Sequence, residues 1–289
     1  MLTLLLCLNF LGNEAFAQID TKFWFVAPET TEGHNKEPGV LRISALNQDA
    51  EVTVSMPANP SFTPFNLSVA ANTQVAHSFY EDELRPVNER LSTIENGRWD
   101  DPDDWTGWSE GQVFKKGLLI ESTNGAPISV YYEVANGENP ERFNLKGANA
   151  LGHDFVIPSQ NIFPNYDFHW DPEIEAREKA DIIATRNNTS INIDFNGKSV
   201  YGHSGGNVTI NLDKGETYSI RSDSRLSASN LGGVSINADK PIGVTISDDS
   251  IDPSKSNSNR DLIGDQLVPQ DNLGTEYIAI NPVFGINDF

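Results

Sequence analysis

Beyond residue 17 this chain has no cysteine, little positive charge and no long apolar run. The single cysteine, Cys7, lies in an apolar opening from Leu2 to Leu11, and Ala15-Phe16-Ala17 stands before Gln18. Residues 1–17 read as a secretory signal peptide cleaved after Ala17, although the basic start of such a leader is missing. Cys7 after three leucines also raises a lipid anchor, against which its bulky neighbours argue. A chain so processed has no disulfide, no thiolate metal site and no cysteine nucleophile.

Twenty Lys and Arg face 41 Asp and Glu, for a net charge of −21. That balance repels phosphate backbones, and no basic stripe interleaved with aromatics appears, so nucleic acid is excluded as a partner. Nothing after residue 17 is apolar for long enough to span a bilayer. Catalytic patterns are equally scarce. His34, His77, His153, His169 and His203 are scattered singly, without the i, i+4 pair of a zincin helix. "GHSGG" at 202–206 matches a nucleophile elbow around Ser204, but that chemistry needs a strand running into a helix. Here strand-like "KSVY" precedes and "NVTINL" follows, which is the setting of a glycine-rich hairpin loop. No catalytic residue is assigned, and the chain is expected not to be an enzyme.

What the sequence has is short alternation. "VLRISAL", "AEVTVSM", "ISVYYEV", "TSINIDF", "NVTINL" and "IGVTIS" each read as a half-buried strand bounded by Asn, Asp, Gly or Pro. Only Glu173–Ala180, entered through Pro172, looks helical. The expected class is all-β.

The runs also recur in order, which marks an internal repeat. Phe23, Phe155 and Tyr277 begin equivalent aromatic strands, and Ile43 precedes Val52 by nine residues as Ile182 precedes Ile191. "GLLIESTNGAPISVYYE" answers to "GVSINADKPIGVTISDD", each with Gly three residues before Ile and with Pro-Ile after a turn. The expected organisation is a leader at 1–17, a first unit at 18–152, a second at 153–274, and the opening strand of a third at 275–289. On that reading the chain continues into further domains. Units of this size fit tandem antiparallel β-sandwiches, with a β-propeller of four-stranded blades as the alternative.

One insertion stands out at 95–111, "ENGRWDDPDDWTGWSEG". Asp100, Asp101, Asp103 and Asp104 offer hard oxygen ligands for Ca²⁺, and Trp99, Trp105 and Trp108 offer flat faces for a sugar or protein ligand. The offsets of an EF-hand are absent, and the competing reading is a solvated acidic loop whose tryptophans tuck back onto the sandwich. "SDDSIDPSKSNSNRD" at 247–261 reads as an exposed polar connection.

Taken together, "FWFVAPE", "LRIS", "GLLIEST", "ISVYYEV", "LKGANALGHDFVIPSQN", "LDKGETYSI" and "KPIGVTIS" resemble the N-terminal domain family of IgGFc-binding proteins, in particular its bacterial exported members. The resemblance implies an extracellular or surface-attached protein with adhesion-type domains. It carries over no binding residues, because the matching motifs are strand and turn scaffolding. The expected function is a secreted or cell-surface, non-enzymatic adhesion module for a glycoprotein, polysaccharide or surface protein. Two alternatives stand beside it: an extracellular carbohydrate-active enzyme or its accessory domain, and a structural spacer.

Overall fold

The computed structural model describes residues 18–31, 37–96, 112–136, 140–166, 175–253 and 260–274. The expected leader, the loop carrying Trp99, Asp100, Asp101, Asp103, Asp104, Trp105 and Trp108, and the strand expected from Thr275 lie outside those residues. So do His34 and His169.

The chain is all-β. Its first half runs through β1 (Lys22–Phe25), β2 (Ala27–Pro28), β3 (Gly39–Ala45), β4 (Ala50–Ser55), β5 (Phe65–Val69) and β6 (Gln74–Phe79). It continues through β7 (Glu95–Asn96), β8 (Leu118–Ser122), β9 (Ile128–Val134) and β10 (Glu141–Asn144). Two antiparallel sheets result, in the orders β1-β8-β4-β5 and β10-β9-β3-β6. Alternation decides which way each residue faces. In β3, Leu41, Ile43 and Ala45 are buried while Arg42 and Ser44 between them are only half-buried. Phe23, Phe25, Val52 and Ile120 of one sheet meet Leu41, Ile43, Val130 and Tyr132 of the other in a single core. Each such side chain contributes roughly 1.5–3 kcal/mol by leaving water. Two sheets around one core make a sandwich and not a pair of propeller blades.

The second half comprises β11 (Gly152–Val156), β12 (Glu178–Ala184), β13 (Thr189–Asp194), β14 (Asn207–Leu212), β15 (Thr217–Arg221), β16 (Ser235–Ile251) and β17 (Asp261–Gln266). Here one long strand serves both layers. The start of β16 pairs with β11 and β13, and its later part with β12 and β17. Opposite β11 the register slips around Pro241, with Asp154 facing Asn237 and Gly152 facing Ile242. Such a bulge accommodates a proline, which has no N–H for the ladder. The sheet thereby wraps around a core that includes Phe155, Ile182, Ile191, Tyr218 and Val244.

The order of pairing is the same in both halves. β11-β16-β13-β14 follows the pattern of β1-β8-β4-β5, and β17-β16-β12-β15 that of β10-β9-β3-β6. Register agrees residue by residue. Phe23 and Val54 flank Ile120 as Phe155 and Ile193 flank Ile236. Ile43 lies between Val75 and Val130 as Ile182 lies between Tyr218 and Val244.

Glu178–Ala180 open β12, which corrects the helix expected to run to Ala180. Local helix propensity is worth tenths of a kcal/mol per residue, and β12 has a neighbour on each side to pair with. All seven residues of β12 are buried, because each of its faces is covered. Ala180, Ile182 and Ala184 enter the second core. Ile183 points the other way and joins Trp24, Val26 and Leu119 of the first half. Lys179 and Asp181 share that outward face, and across the sheet Ser219, Arg221, Thr245 and Gln266 are buried in register with them. The seam between the halves is therefore largely polar. Lys179 pairs with Glu29, Asp181 accepts from Asn96, and Gln266 donates to the Trp24 carbonyl.

Candidate functional site

Following the inward face of β12 and β16 to the end of the second core leads to two carboxylates. Alternation that places Ala180 and Ile182 inward also places Glu178 there, and the series Ile242, Val244, Ile246 continues to Asp248. Glu178 and Asp248 are register partners, and each is 3% exposed. Like charges directly opposite one another destabilise a ladder. Burial is the largest influence on both: it pushes Glu178 up to about 7 and raises Asp248 above the usual carboxylate range.

The donors that hold the pair come from two connecting segments. Ser159 Oγ and the Leu231 N–H donate to Glu178. Asp248 accepts from Asn165 Nδ2 at 2.6 Å, Gln160 Nε2 at 2.8 Å and Asn230 Nδ2 at 3.2 Å. The segment 157–166, which leaves β11, is thus tied to the segment 222–231, which leaves β15. Arg225 adds a second tie: its Nη1 donates to the Asn165 carbonyl at 3.1 Å, and its Nε pairs with Glu175 at 2.6 Å.

Two hollows flank these ties. A groove of about 550 Å³ lies between the two segments, lined by Ile162, Tyr166, Arg225, Leu226, Ser227 and Asp252 among others. Its rim is apolar, with Ile162 62% and Leu226 64% exposed. A smaller cleft of about 130 Å³ is lined by Ser159, Gln160, Glu178, Asp248 and Asp265. A groove with an apolar rim and polar floor suits binding. Glu178 and Asp248 direct their oxygens at donors within the chain, which suits an anchor for loops better than a pair facing a sugar.

The residues singled out for chemistry in the sequence do not converge. Ser204 lies in the connection between β13 and β14, strand to strand, with no helix after it. His203 bonds the Tyr218 hydroxyl at 3.1 Å and packs its ring against Phe195. His77 stacks on Phe65 and bonds the Asn88 carbonyl, while His153 sits 3.0 Å from Asp271. Among the described residues no three His, Cys, Asp or Glu side chains are arranged to hold a metal, and no helix is long and apolar enough to cross a membrane.

The 247–261 segment requires a correction. Residues 247–251 belong to β16, and Ser247, Asp248, Asp249, Ser250 and Asp252 are buried, not part of an exposed connection. Composition misled because the partners are remote in sequence: Asn165, Gln160 and Asn230 stabilise Asp248, and the Thr31 N–H reaches Asp249. The usable signal was the period of two, which runs unbroken from Ile242 through Asp248.

Residues 142–288 match the model of a protein family described as IgGFc binding protein. That span includes the groove and the carboxylate pair beneath it. No curated protein and no solved structure matches the chain.

Proposed function

The chain belongs to the IgGFc-binding protein family, and from that premise we propose that it is a non-enzymatic adhesion module, exported and acting on a glycoprotein, polysaccharide or surface protein outside the cell. The observation that carries this reading is the groove between the segments 157–166 and 222–231. Its walls are pinned from below by Glu178 and Asp248, and its rim exposes Ile162 and Leu226 to solvent. Preorganised walls lower the ordering cost of binding, and exposed apolar side chains at a groove mark contact surface.

The identical pairing order of the two halves supports their being copies of one unit, and tandem units suit a protein that projects a binding surface from a cell. The apolar opening of the chain supports export. The aspartate and tryptophan loop at 95–111 belongs to the same proposal as a second contact, with Ca²⁺ on its aspartates and a ligand on its tryptophans.

The test is binding of the purified protein to an array of glycans and extracellular glycoproteins, with antibody Fc included because of the family's name. Replacing Ile162 and Leu226 together by Asp is expected to abolish the signal without changing the melting temperature. A parallel glycosidase and esterase screen addresses the enzymatic alternative. Turnover of any substrate, lost on replacing Ser204 or one carboxylate, overturns the non-enzymatic reading. A signal unchanged by the double replacement removes the groove from it.

A further inference from the structure

We propose that Lys179 and Glu29 close an amide bond between Lys179 Nζ and Glu29 Cδ in the folded protein, a self-made modification that links the second half covalently to the first. The first observation is their geometry. Lys179 Nζ donates to Glu29 Oε2, and the two side chains are 3% and 8% exposed. A nitrogen in hydrogen-bond contact with a carboxylate oxygen stands roughly 3–3.5 Å from the carboxyl carbon, the separation of a near-attack pair. Both ends are anchored: β12 is paired along each edge, and Glu29 follows β2, which is paired with β7.

The second observation is the charge around the pair. Lys179 is the register partner of Arg221, which is 2% exposed and carries the same sign. Like charges directly opposite one another destabilise a ladder, and ions taken out of water are costly even when paired. An amide is neutral, so closing the bond removes a cation from beside Arg221 and an anion from the seam. A site that excludes water also protects the product from hydrolysis.

The third observation is Asp181, two residues further along the same face of β12 and 0% exposed. Its Oδ1 accepts from Asn96 Nδ2, its Oδ2 has no hydrogen-bond partner, and the charges of both Lys179 and Glu29 act on it. Burial pushes this carboxyl up to about 7, so it can give and take a proton near neutral pH.

The atoms balance without a co-reactant. A proton crosses from the Lys179 ammonium to the Glu29 carboxylate, leaving an amine and a carboxylic acid. The nitrogen lone pair then attacks Cδ, the Cδ–N bond forms and a Cδ–O bond breaks. Asp181 gives its proton to the departing hydroxyl and takes one from the nitrogen, so it ends as it began. One water leaves, and nothing is oxidised or reduced. The ion pair is the state before closure. The linkage spans 150 positions of the chain and does not depend on what occupies the groove.

The experiment compares the intact mass of the folded, purified full chain, read after denaturation, with that of Lys179→Arg, which keeps the charge but offers no amine. We expect the two masses to differ by the substitution and by one water more. Trypsin should release a branched peptide joining residues 23–36 to residues 178–186, with cleavage after Lys179 blocked. Followed from cell-free synthesis, Asp181→Asn should lose its water roughly a hundredfold more slowly while its circular dichroism spectrum stays the same. The mass of the unaltered chain decides the matter even if a variant fails to fold. A full sequence mass, a missing water without the branched peptide, or a missing water that persists in Lys179→Arg would each overturn the proposal, and an unchanged rate in Asp181→Asn would overturn the role given to Asp181.

Discussion

Asn96 of the first half donates its side-chain amide to Asp181 of the second at 2.7 Å, and neither residue has exposed surface. The other end of the same amide accepts from Thr217 Oγ1 at 2.6 Å. One small head group therefore ties β7 to both β12 and β15. Asn96→Ala strips Asp181 of that donor and Thr217 of its acceptor in one step. The expected loss is roughly 1–3 kcal/mol for each group left unsatisfied, read as a lower urea midpoint with unchanged slope. A midpoint within error of the original would mean that water replaces the amide and the seam is not dry.

Burial pushes the Asp181 carboxyl from 3.8 up to about 7, despite the Asn96 amide and the nearby Lys179 charge, which act in the opposite direction. Glu141 is raised to about 7 as well, chiefly by desolvation. Between the unfolded and folded values, the folded chain holds protons that the unfolded chain releases. Stability is therefore highest at the acidic end of this window and falls as pH rises from about 4 to about 7, then levels off. Asp271, lowered chiefly by its hydrogen bond from His153, acts only below that window. Glu178, raised to about 7, adds to the same decline, so calorimetric melting temperatures should fall from pH 4.5 to 8, and Asp181→Asn should lessen the fall while the Glu141 and Glu178 shares remain. Melting temperatures that climb with pH across this range would contradict the assignment.

Lys179 and Glu29 form an ion pair with both side chains almost wholly buried. Removing one partner leaves an uncompensated charge in the seam. Glu29→Leu and Lys179→Met are each expected to cost roughly 3–5 kcal/mol, while the variant combining the two should lose much less. Denaturant melts of all three settle it, and additive losses would show that the two side chains act independently.

Gly117 is an expected repeat glycine whose requirement is not a turn. A Cβ there would lie 2.4 Å from Ile183 Cδ1 and 2.6 Å from the Gly215 carbonyl oxygen. Gly117→Ala should cost roughly 1–3 kcal/mol by overpacking. Gly206, with open space around it and no left-handed φ, should accept alanine within about 0.5 kcal/mol. Equal melting temperatures for the two variants would mean that the halves move apart at no cost.

Strands whose alternation ends at solvent were legible in the sequence. β3, β9, β13 and β14 fall on "VLRISAL", "ISVYYEV", "TSINIDF" and "NVTINL", because one face of each meets a core and the other faces away. Gly117 and Gly233 stand at matching places before an isoleucine, yet for different reasons: Gly233 needs a φ of 90°, and Gly117 needs room. What was hidden is buried polar surface, in the seam between the halves and at the end of the second core. Lys179, Asp181 and Asp248 look solvated in any local window, and only partners in other elements, Glu29, Asn96 and Asn165, make their burial tolerable. Periodicity reports which face a residue is on. It does not report whether another layer lies over that face.

The continuity of β16 gives the second half a mechanical character that the first half lacks. In the first half β8 and β9 are separate strands joined by a turn, so one layer can be peeled from its neighbours without the ladder of the other being pulled directly. In the second half the same 17 residues form the central rail of both layers, a contour of at most roughly 56 Å at 3.3 Å per residue. Tension applied to either end of β16 is shared by its ladders with β11, β13, β12 and β17 in shear, so rupture requires many hydrogen bonds to fail together.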